Sequence, residues 1–558
     1  MTAFALPAPA RRAAFLPAAG SATWPALAIA LALVLQLAIA TTRAINWDEF
    51  FHYAQVHQFL AGTLDKPLQS LSARLFSWAA RLPGTGVDHI LAIRLAEFAF
   101  LATAAAAIYP LARRFATAPV ALLAVLLYLS GGFVLQHGSS FRADAVAAAL
   151  LTTSLAAMLR LRLSPGAILL VAALAAAAML MTIKSVLYAP AFAGIAWLRW
   201  HEMGRSRDAI LRLAALAVAV PLLFGLMFLA HAHGLASGAE GKAEAMAANS
   251  AGKMFALTGL PYYNHILQGA LLAPVLAVCI LLVPVLLWRN HGNGNDSAGR
   301  VALAGLWLPM LSVAVYHNTA PYFYTFILPP VCAACAVALP LLVRRYSVAA
   351  LSGILAVNAL TIWLIEPASP LAKQRQLLQA AEQMWPEKPA YFDFPGMLGS
   401  FPKANAFMTP WGIENYRTGV TPSMVAAMNA QPVPLVVEND PMFTAALRMR
   451  GPVPQFLPQD LAALRGTYLH WWGPFWLAGQ QLAAGTARDA RILVPGIYRV
   501  DLAPIRIDGA LYQPGQTVRL VRGSVRLSAP AAATRIVWGA NAARPAYPAP
   551  QPPYWTDF

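Results

Sequence analysis

Long apolar runs separated by short polar segments occupy the first two thirds of the chain. The first run, from Trp24 to Thr42, carries no charge and has about the length of a helix that spans a bilayer. The later runs have the same character and predict about eleven transmembrane helices in total. They cover residues 24–43, 89–112, 117–136, 143–161, 165–183, 185–199, 209–231, 265–288, 301–317, 322–342 and 347–365. The pattern therefore predicts a polytopic α-helical membrane protein.

The composition agrees with that prediction. The 558 residues are 59% hydrophobic and 11% charged, with a mean hydropathy of +0.57. A water-soluble protein of this kind would expose large apolar patches, so a membrane protein is expected. The net charge of +17 does not indicate a nucleic-acid partner, because the basic residues stand in short clusters between apolar runs. The cysteines all lie inside apolar runs and are expected to pack there rather than form disulfides or bind a metal: Cys279, Cys332 and Cys335.

The basic clusters predict the orientation in the membrane. They occur at Arg11/Arg12, Arg113/Arg114, Arg160/Arg162, Arg199/Arg205/Arg207, Arg289/Arg300 and Arg344/Arg345. With eleven spans all of them fall on one side, which the positive-inside rule identifies as the cytoplasm. The apolar run that follows Arg12 is too long for a typical signal peptide and further spans follow it, so an uncleaved first helix is expected.

Every polar segment with candidate chemistry lies on the opposite side. These segments are the loop 44–88, the turn 137–144, the turn at Lys184, the loop 232–264, the turn 317–322 and everything after Glu366. Within the first loop, residues 50–60 and 68–81 have helical periodicity and predict short helices at the membrane surface. The loop 232–264 is expected to be mobile, and to be either a lid or only a connecting segment.

The composition changes near residue 367, where proline, tryptophan and charge increase and no run of spanning length remains. Short strands are predicted at residues 391–394, 435–437, 518–520 and 525–527. We therefore expect residues 1–366 to form a membrane module, and residues 367–558 an outer α+β domain that is rich in strands towards its end. The tail 545–553 is expected to be extended.

Two adjacent carboxylates, Asp48 and Glu49, follow the end of the first span. A carboxylate beside a span is costly and tends to be functional, and one that is partly shielded from water can act as a general base. Neighbours on a helix point in different directions, so we favour Asp48 as the base and Glu49 as its support or an acceptor contact. Simple interfacial anchoring is the alternative. His52 and Tyr53 follow as candidate acceptor or lipid contacts.

Two cationic positions are candidate phosphate ligands. Arg142 and Asp144 lie at the beginning of the fourth span. The Asp144 carboxylate either interacts favourably with the positive end of the helix dipole, or it orients Arg142 or the acceptor. The guanidinium of Arg142 either anchors the helix at the interface or pairs with phosphate oxygens in a fork. Lys184 interrupts an apolar stretch, so it either reaches the surface along its alkyl stem or binds phosphate as a point charge.

The segment 317–324 contains His317, Tyr322 and Tyr324 and is either an aromatic belt or the holder of a lipid-linked headgroup. Metal-ligand spacing is absent, and the group Asp48, Glu49 and His52 is too generic to predict an ion, although a divalent ion is not excluded. Most tryptophans of the outer region are expected to serve core packing rather than sugar stacking: Trp411, Trp471, Trp472 and Trp476.

In their order along the chain these motifs resemble the GT-C superfamily of polyprenyl-phosphate-sugar-dependent glycosyltransferases. The likeness is to the bacterial protein-O-mannosyltransferase-like group, which includes the lipid A aminoarabinose transferases. It involves residues 48–54, 60–62 and Pro67, Ile93–Arg94–Leu95, Arg142–Ala143–Asp144, Thr182–Ile183–Lys184, and Tyr322 to Pro330. The resemblance implies a catalytic carboxylate in the first outer loop, a lipid-phosphate-linked sugar donor and inversion at the anomeric carbon. The chain departs from the pattern at Ser185, where many relatives have glycine.

The resulting prediction is a glycosyltransferase of the bacterial inner membrane with a periplasmic C-terminal domain. It would move a sugar from a polyprenyl phosphate, such as undecaprenyl phosphate, to a protein, lipid A or a cell-envelope glycan. The alternatives are a transporter or flippase of lipid-linked sugars, and an O-antigen-ligase-type transferase with a diphosphate donor. Transporters typically place polar groups near the bilayer midplane between similar halves, whereas the candidate groups here collect at one face. The sugar, the acceptor and the oligomeric state stay open.

Overall fold

The computed structural model describes residues 21–254, 263–289, 297–541 and 543–556. The basic cluster Arg11/Arg12 and residues 255–262 of the predicted loop 232–264 lie outside the described residues.

A helix lies at the position of each predicted span. The helices of this region are α1 Thr23–Thr42, α2 Trp47–Leu60, α3 Leu71–Leu75, α4 Gly86–Arg113, α5 Ala118–Leu129, α6 Gly132–His137, α7 Ala143–Arg160, α8 Pro165–Met181, α9 Ala189–Glu202, α10 Arg207–Ala232, α11 Ala243–Met254, α12 Tyr263–Leu272, α13 Pro274–Arg289, α14 Ser297–Trp307, α15 Phe323–Ala334 and α16 Leu339–Leu364. Short 3-10 helices occur at Ser77–Arg81, Ile183–Tyr188, Glu240–Lys242, Leu308–Ala314 and Cys335–Val337. The helices predicted in the first outer loop correspond to α2, α3 and Ser77–Arg81.

Several of these helices have the length and apolar character needed to cross a membrane. Within the described ranges there are 6 such helices, and the pair α12 and α13, bent by 110°, adds a seventh if it is one span. The shorter apolar helices are α5, α8 and Phe323–Val337. The chain is therefore a multi-pass helical membrane protein, as predicted, and the number eleven stays a prediction.

Some predicted spans are interrupted at identifiable residues. Ser130 and Gly131 separate α5 from α6 inside the predicted span 117–136. Within α16, Ser347 has a φ of 66° and divides the helix into two segments. Its hydroxyl oxygen accepts the Ala350 N–H at 3.3 Å, which caps the second segment and places a break between the last two predicted spans.

The basic helix ends contact one another. Arg114 forms an ion pair with Glu202 at 2.9 Å, and Arg199 donates to the Leu161 carbonyl at 2.9 Å. Arg212 donates to the Leu163 carbonyl at 3.2 Å. The C-terminal ends of α4, α7 and α9 therefore lie together, and the beginning of α7 lies at the other end of the bundle.

The region after residue 366, called the outer domain or outer region after the position that the sequence predicts for it, contains five helices and two sheets among its described residues. Its elements are α17 Leu371–Met384, β1 Tyr391–Phe392, α18 Pro410–Arg417, α19 Met424–Ala430, β2 Leu435–Val437, α20 Pro441–Arg448, α21 Pro458–Thr467, β3 Tyr468–Trp472, β4 Phe475–Leu482, β5 Ala487–Ile492, β6 Gly496–Asp501, β7 Ile505–Ile507, β8 Ala510–Tyr512, β9 Thr517–Leu520, β10 Gly523–Ser528 and β11 Thr534–Trp538. One sheet has the order β1-β2-β4-β11-β6-β9 with β3 on β4, and the other has the order β5-β10-β7-β8. Only the β1–β2 pair is parallel among these described strands. The strand-rich end that the sequence predicts is present.

The outer region packs directly on α2. The rings of Phe51 and Phe407 stack with their centroids 4.2 Å apart. Arg375 of α17 forms an ion pair with Asp88 of α4 at 2.8 Å. These contacts fix the beginning of α2 between the membrane helices and the outer domain.

Candidate active site

The beginning of α2 is set by a capping box. The Asn46 side-chain oxygen accepts the backbone N–H groups of Asp48 and Glu49, each at 3.0 Å. The Glu49 carboxylate accepts the Asn46 N–H at 3.1 Å in return. This reciprocal pattern satisfies free N–H groups of the first turn, and the positive end of the helix dipole favours both carboxylates there.

Glu49 is held by Arg94 in a buried, fork-shaped ion pair. Arg94 donates through Nε to one carboxylate oxygen at 2.7 Å and through a terminal nitrogen to the other at 2.5 Å, and the Phe141 N–H adds a bond at 2.8 Å. The Arg43 and Ala44 carbonyls each accept from Arg94 at 2.7 Å. Burial acts to raise the pKa of Glu49, but the Arg94 charge and these hydrogen bonds outweigh it, so the pKa lies below its ordinary value. Glu49 thus ties α2 to α4 and to the residue before Arg142.

Asp48 belongs to a second, separate charge cluster. Arg142 contacts the Asp48 carboxylate with a terminal nitrogen and donates through Nε to Asp144 at 3.2 Å. Lys184 contacts the other oxygen of Asp144. Asp48, Arg142, Asp144 and Lys184 are 7%, 8%, 4% and 7% exposed. The structure therefore brings the predicted acid and both predicted cations into one buried chain of alternating charge.

The Tyr322 ring packs against the two cations of this cluster. The guanidinium carbon of Arg142 lies 3.3 Å from the centroid of the Tyr322 ring, and Lys184 Nζ lies 5.7 Å from it. The Tyr322 hydroxyl donates to the Asn318 side chain at 2.8 Å, which fixes the ring. A ring face attracts cations, so Tyr322 holds Arg142 in place without neutralising it.

Tyr324, the second predicted tyrosine of this segment, lies in different surroundings. The Tyr324 ring packs against Phe133 with the centroids 5.2 Å apart and lines an apolar cavity of 220 Å³. His317 is partly buried in the segment before α15. Tyr324 has no described contact with the acidic or basic groups of the charge cluster.

His52 and Tyr53 point to different surroundings. The His52 ring lies 5.9 Å from that of Phe141, and burial lowers its pKa to about 4, although Asp144 opposes the shift. The Tyr53 hydroxyl contacts His89, and Tyr53 lines a separate cavity of 330 Å³ with His57. Burial raises the pKa of Tyr53 above its ordinary value.

Two residues of this region were not predicted. Asn46 caps α2, and its spacing of three residues before Glu49 is the sequence signature of a capping box. Glu97 is fully buried on α4, one turn beyond Arg94. A charged residue inside an apolar run is itself an indication of a functional region, and this would have identified Glu97. Across the described ranges, no three His, Cys, Asp or Glu side chains are grouped so as to hold a metal ion.

No protein-family model matches the sequence, and no curated protein matches it significantly. Solved structures do match. The oligosaccharyltransferase of Archaeoglobus fulgidus in its apo form has a TM-score of 0.50 at 10% identity, over 91% of this chain and 94% of that one. ArnT from Cupriavidus metallidurans bound to undecaprenyl phosphate has a TM-score of 0.49 at 16% identity, over 76% and 94% of the two chains. Arabinosyltransferase EmbB from Mycobacterium smegmatis has a TM-score of 0.40 at 11% identity, over 95% and 64%. The likeness to the archaeal protein shows that this chain shares the fold of that oligosaccharyltransferase.

Proposed function

We propose that this chain belongs to the GT-C superfamily and is a membrane glycosyltransferase that moves a sugar from a polyprenyl phosphate to an acceptor. The observation that supports this most directly is the buried cluster in which two cations, Arg142 and Lys184, adjoin the carboxylate of Asp48. We place the enzyme in the bacterial inner membrane with residues 367–558 in the periplasm, because the basic clusters predict that orientation.

The donor phosphate would bind where Asp48 and Asp144 now neutralise the cations. A guanidinium pairs with phosphate in a fork and an ammonium binds it as a point charge, so Arg142 and Lys184 together suit one phosphate group. The low exposure of both side chains reduces competition from water and strengthens the interaction. Asp144 contacts both cations and keeps them oriented towards the same position.

The same geometry supports our assignment of Asp48 as the base. Glu49 is fully engaged by Arg94 and the Phe141 N–H, whereas the only described hydrogen-bond partner of the Asp48 carboxylate is Arg142. When phosphate takes Arg142, Asp48 is released and accepts a proton from the acceptor hydroxyl or amine. The acceptor then attacks the anomeric carbon, and the bond from that carbon to the phosphate oxygen breaks.

The leaving group is a lipid phosphate that gains negative charge as this bond breaks. We assign the stabilisation of that charge to Arg142 and Lys184, a contribution whose loss commonly lowers the rate about 10²–10³-fold. Attack from the side opposite the phosphate inverts the anomeric carbon. An acidic leaving group of this kind needs no protonation, so one carboxylate suffices.

The test is a complementation experiment in cells that lack the gene. Wild type, Asp48→Asn and Asp65→Asn are expressed to equal membrane levels, and envelope glycans, lipids and glycoproteins are compared by mass spectrometry. Asp65 is the control, because it is a half-exposed carboxylate of the same loop, paired with Lys242. We expect one sugar-bearing species to disappear with the gene and to return with wild type and Asp65→Asn only. Its return with Asp48→Asn, or the absence of any change, would contradict the proposal. Release of a lipid diphosphate would favour the ligase-type reaction.

A further inference from the structure

A cavity of 1150 Å³ lies between the beginning of α2 and the outer domain. Trp47, the residue directly before Asp48, forms part of its wall, and its ring lies 5.8 Å from that of Phe394. None of the four residues of the charge cluster lines it. The cavity is thus separate from the position assigned to the donor phosphate, but it reaches the residue next to the proposed base.

The C-terminal tail closes one side of this cavity. The Trp555 ring stacks on Phe394 with the centroids 5.5 Å apart and the planes 11° from parallel, and Trp555 Nε1 donates to the Asn439 carbonyl. Thr556 then forms a β-bridge with Asn46, the capping residue of α2. The tail therefore connects the cavity wall to the turn that carries Asp48.

The lining of the cavity contains aromatic side chains, prolines and polar groups. Glu438 is 8% exposed; one of its carboxylate oxygens accepts from Arg448 at 2.6 Å and the other from the Trp476 indole at 2.7 Å. Each carboxylate oxygen has a second lone pair, so the Glu438 carboxylate is held in a fixed orientation and each of its oxygens can accept one more hydrogen bond. Asp440, His470 and Arg448 add further polar groups to the wall.

This lining favours a carbohydrate over a lipid chain or a small apolar ligand. The C–H faces of sugar rings pack on aromatic rings, and their hydroxyl groups donate to carboxylates. An acyl chain beside Glu438 would cover the remaining lone pairs of its carboxylate without offering them a donor. The volume exceeds the roughly 300–1,000 Å³ of ordinary small-molecule sites, which leaves room for several sugar rings.

We propose that this cavity binds a glycan as the acceptor, with the end that receives the sugar directed past Trp47 towards Asp48. The inference rests on the proposed function, because an acceptor site presupposes sugar transfer at Asp48. It adds that the acceptor is recognised as a glycan, by the outer domain together with the C-terminal tail.

The test is photo-crosslinking of the full-length protein in living cells. The photoreactive residue p-benzoylphenylalanine replaces Tyr554, which lines the cavity, or Tyr512 of β8, which does not. After irradiation and purification, mass spectrometry measures sugar mass increments on the crosslinked peptide. We expect sugar-bearing adducts at position 554 at a yield at least severalfold above that at position 512. Adducts that contain only lipid or peptide, or equal yields at both positions, would overturn the inference.

A second pair of variants tests the carboxylate. Glu438→Gln keeps the shape of the wall but removes the charge, and should lower the sugar adduct at position 554 about tenfold, as expected for one lost charge-assisted hydrogen bond. Glu414→Gln, on an exposed position of α18, is the control and should leave the yield unchanged. Equal yields from both variants would exclude Glu438 from glycan binding. If Asp48→Asn restores the envelope glycans, the proposed function fails; if it does not and position 554 gives no sugar adduct, only the glycan inference fails.

Discussion

Gln374 and Ile45 exchange two hydrogen bonds across the boundary between the outer domain and the membrane region. The Ile45 N–H donates to the Gln374 side-chain oxygen at 2.9 Å, and the Gln374 side-chain nitrogen donates to the Ile45 carbonyl at 2.7 Å. Gln374 is fully buried on α17, and Ile45 lies three residues before Asp48. The outer domain thereby fixes the backbone from which α2 begins.

Gln374→Leu should therefore reduce catalysis, although the Gln374 side chain is not expected to contact a substrate. The change leaves two buried backbone groups of Ile45 unpaired, at about 1–3 kcal/mol each, so the first turn of α2 is expected to shift. We expect kcat to fall about tenfold or more, with little change in binding of the lipid phosphate, because a shift of 1 Å at a reacting group has large effects. The control is Gln379→Leu, on an exposed position of the same helix. Similar losses in both variants would show that the helix surface, and not the Ile45 contact, is responsible.

Arg142→Lys should lower activity strongly although the charge is kept. The arginine side chain contacts Asp48 and Asp144 at once and lies over the Tyr322 ring, and a single ammonium group reproduces only part of this. We expect transfer to fall about 10²–10³-fold and lipid-phosphate binding to weaken. Arg162→Lys, in the basic cluster after α7, should behave as wild type in the same assays. Near-normal transfer by Arg142→Lys would mean that charge alone suffices at this position.

The meeting of Asp48, Arg142, Lys184 and Tyr322 is a feature that could be predicted from the sequence. The lengths of the apolar runs and the positions of the basic clusters decide which helix ends share a membrane face. Residues at those ends are then brought to the same surface. Strand positions such as Leu435–Val437 were predictable as well, because short apolar runs bounded by turn residues indicate buried strands.

Which acid pairs with which base near the beginning of α2 could not be predicted. Whether Arg94 pairs with Asp48 or with Glu49 depends on the rotation of α2 against α4, which side-chain packing determines and hydropathy does not record. The bridge between Asn46 and Thr556 likewise joins two segments that are far apart in the sequence, and no periodicity predicts such a contact. The cavity wall formed by the tail follows from that bridge, so the proposed acceptor site became visible only in the structure.

Acid should destabilise the protein through the histidines of α2. Burial lowers the pKa of both His52 and His57 from 6.5 to about 4. Above pH 6.5 they are neutral in the folded and unfolded states, but between pH 6.5 and 4 the unfolded chain binds protons that the folded chain does not. The free energy of unfolding should therefore decrease as the pH falls through this window and change no further from this cause below pH 4.

Thermal unfolding in detergent from pH 7.5 to pH 4.5 measures this effect. The double variant His52→Asn, His57→Asn should lose less in Tm on acidification than wild type, because the two proton-binding groups are absent from its unfolded state. His233→Asn, at an exposed position, should follow wild type. Parallel curves for all three proteins would assign the acid sensitivity to other groups.

Asp48→Asn should bind lipid phosphate more tightly than wild type while losing transfer. In the free enzyme the Asp48 carboxylate contacts Arg142, so an incoming phosphate must displace it. Its own charge also repels the phosphate across a poorly hydrated site, where such interactions are strong. An asparagine of the same shape removes both costs, and we expect Kd for undecaprenyl phosphate to fall about tenfold, equivalent to about 1.4 kcal/mol.

Binding of undecaprenyl phosphate to the purified protein in nanodiscs distinguishes the possible roles of Asp48. Asp65→Asn should bind as wild type does and is the control for unchanged affinity. Arg142→Gln should bind weakly and is the control for lost affinity. If Asp48→Asn binds no more tightly than wild type, the carboxylate does not compete with phosphate for Arg142, and its release cannot be the step that couples donor binding to activation of the acceptor. If it binds more tightly but still transfers sugar, Asp48 is a counter-ion of Arg142 and not the base. Tighter binding together with lost transfer is the combination expected when one carboxylate first neutralises Arg142 and then accepts the proton.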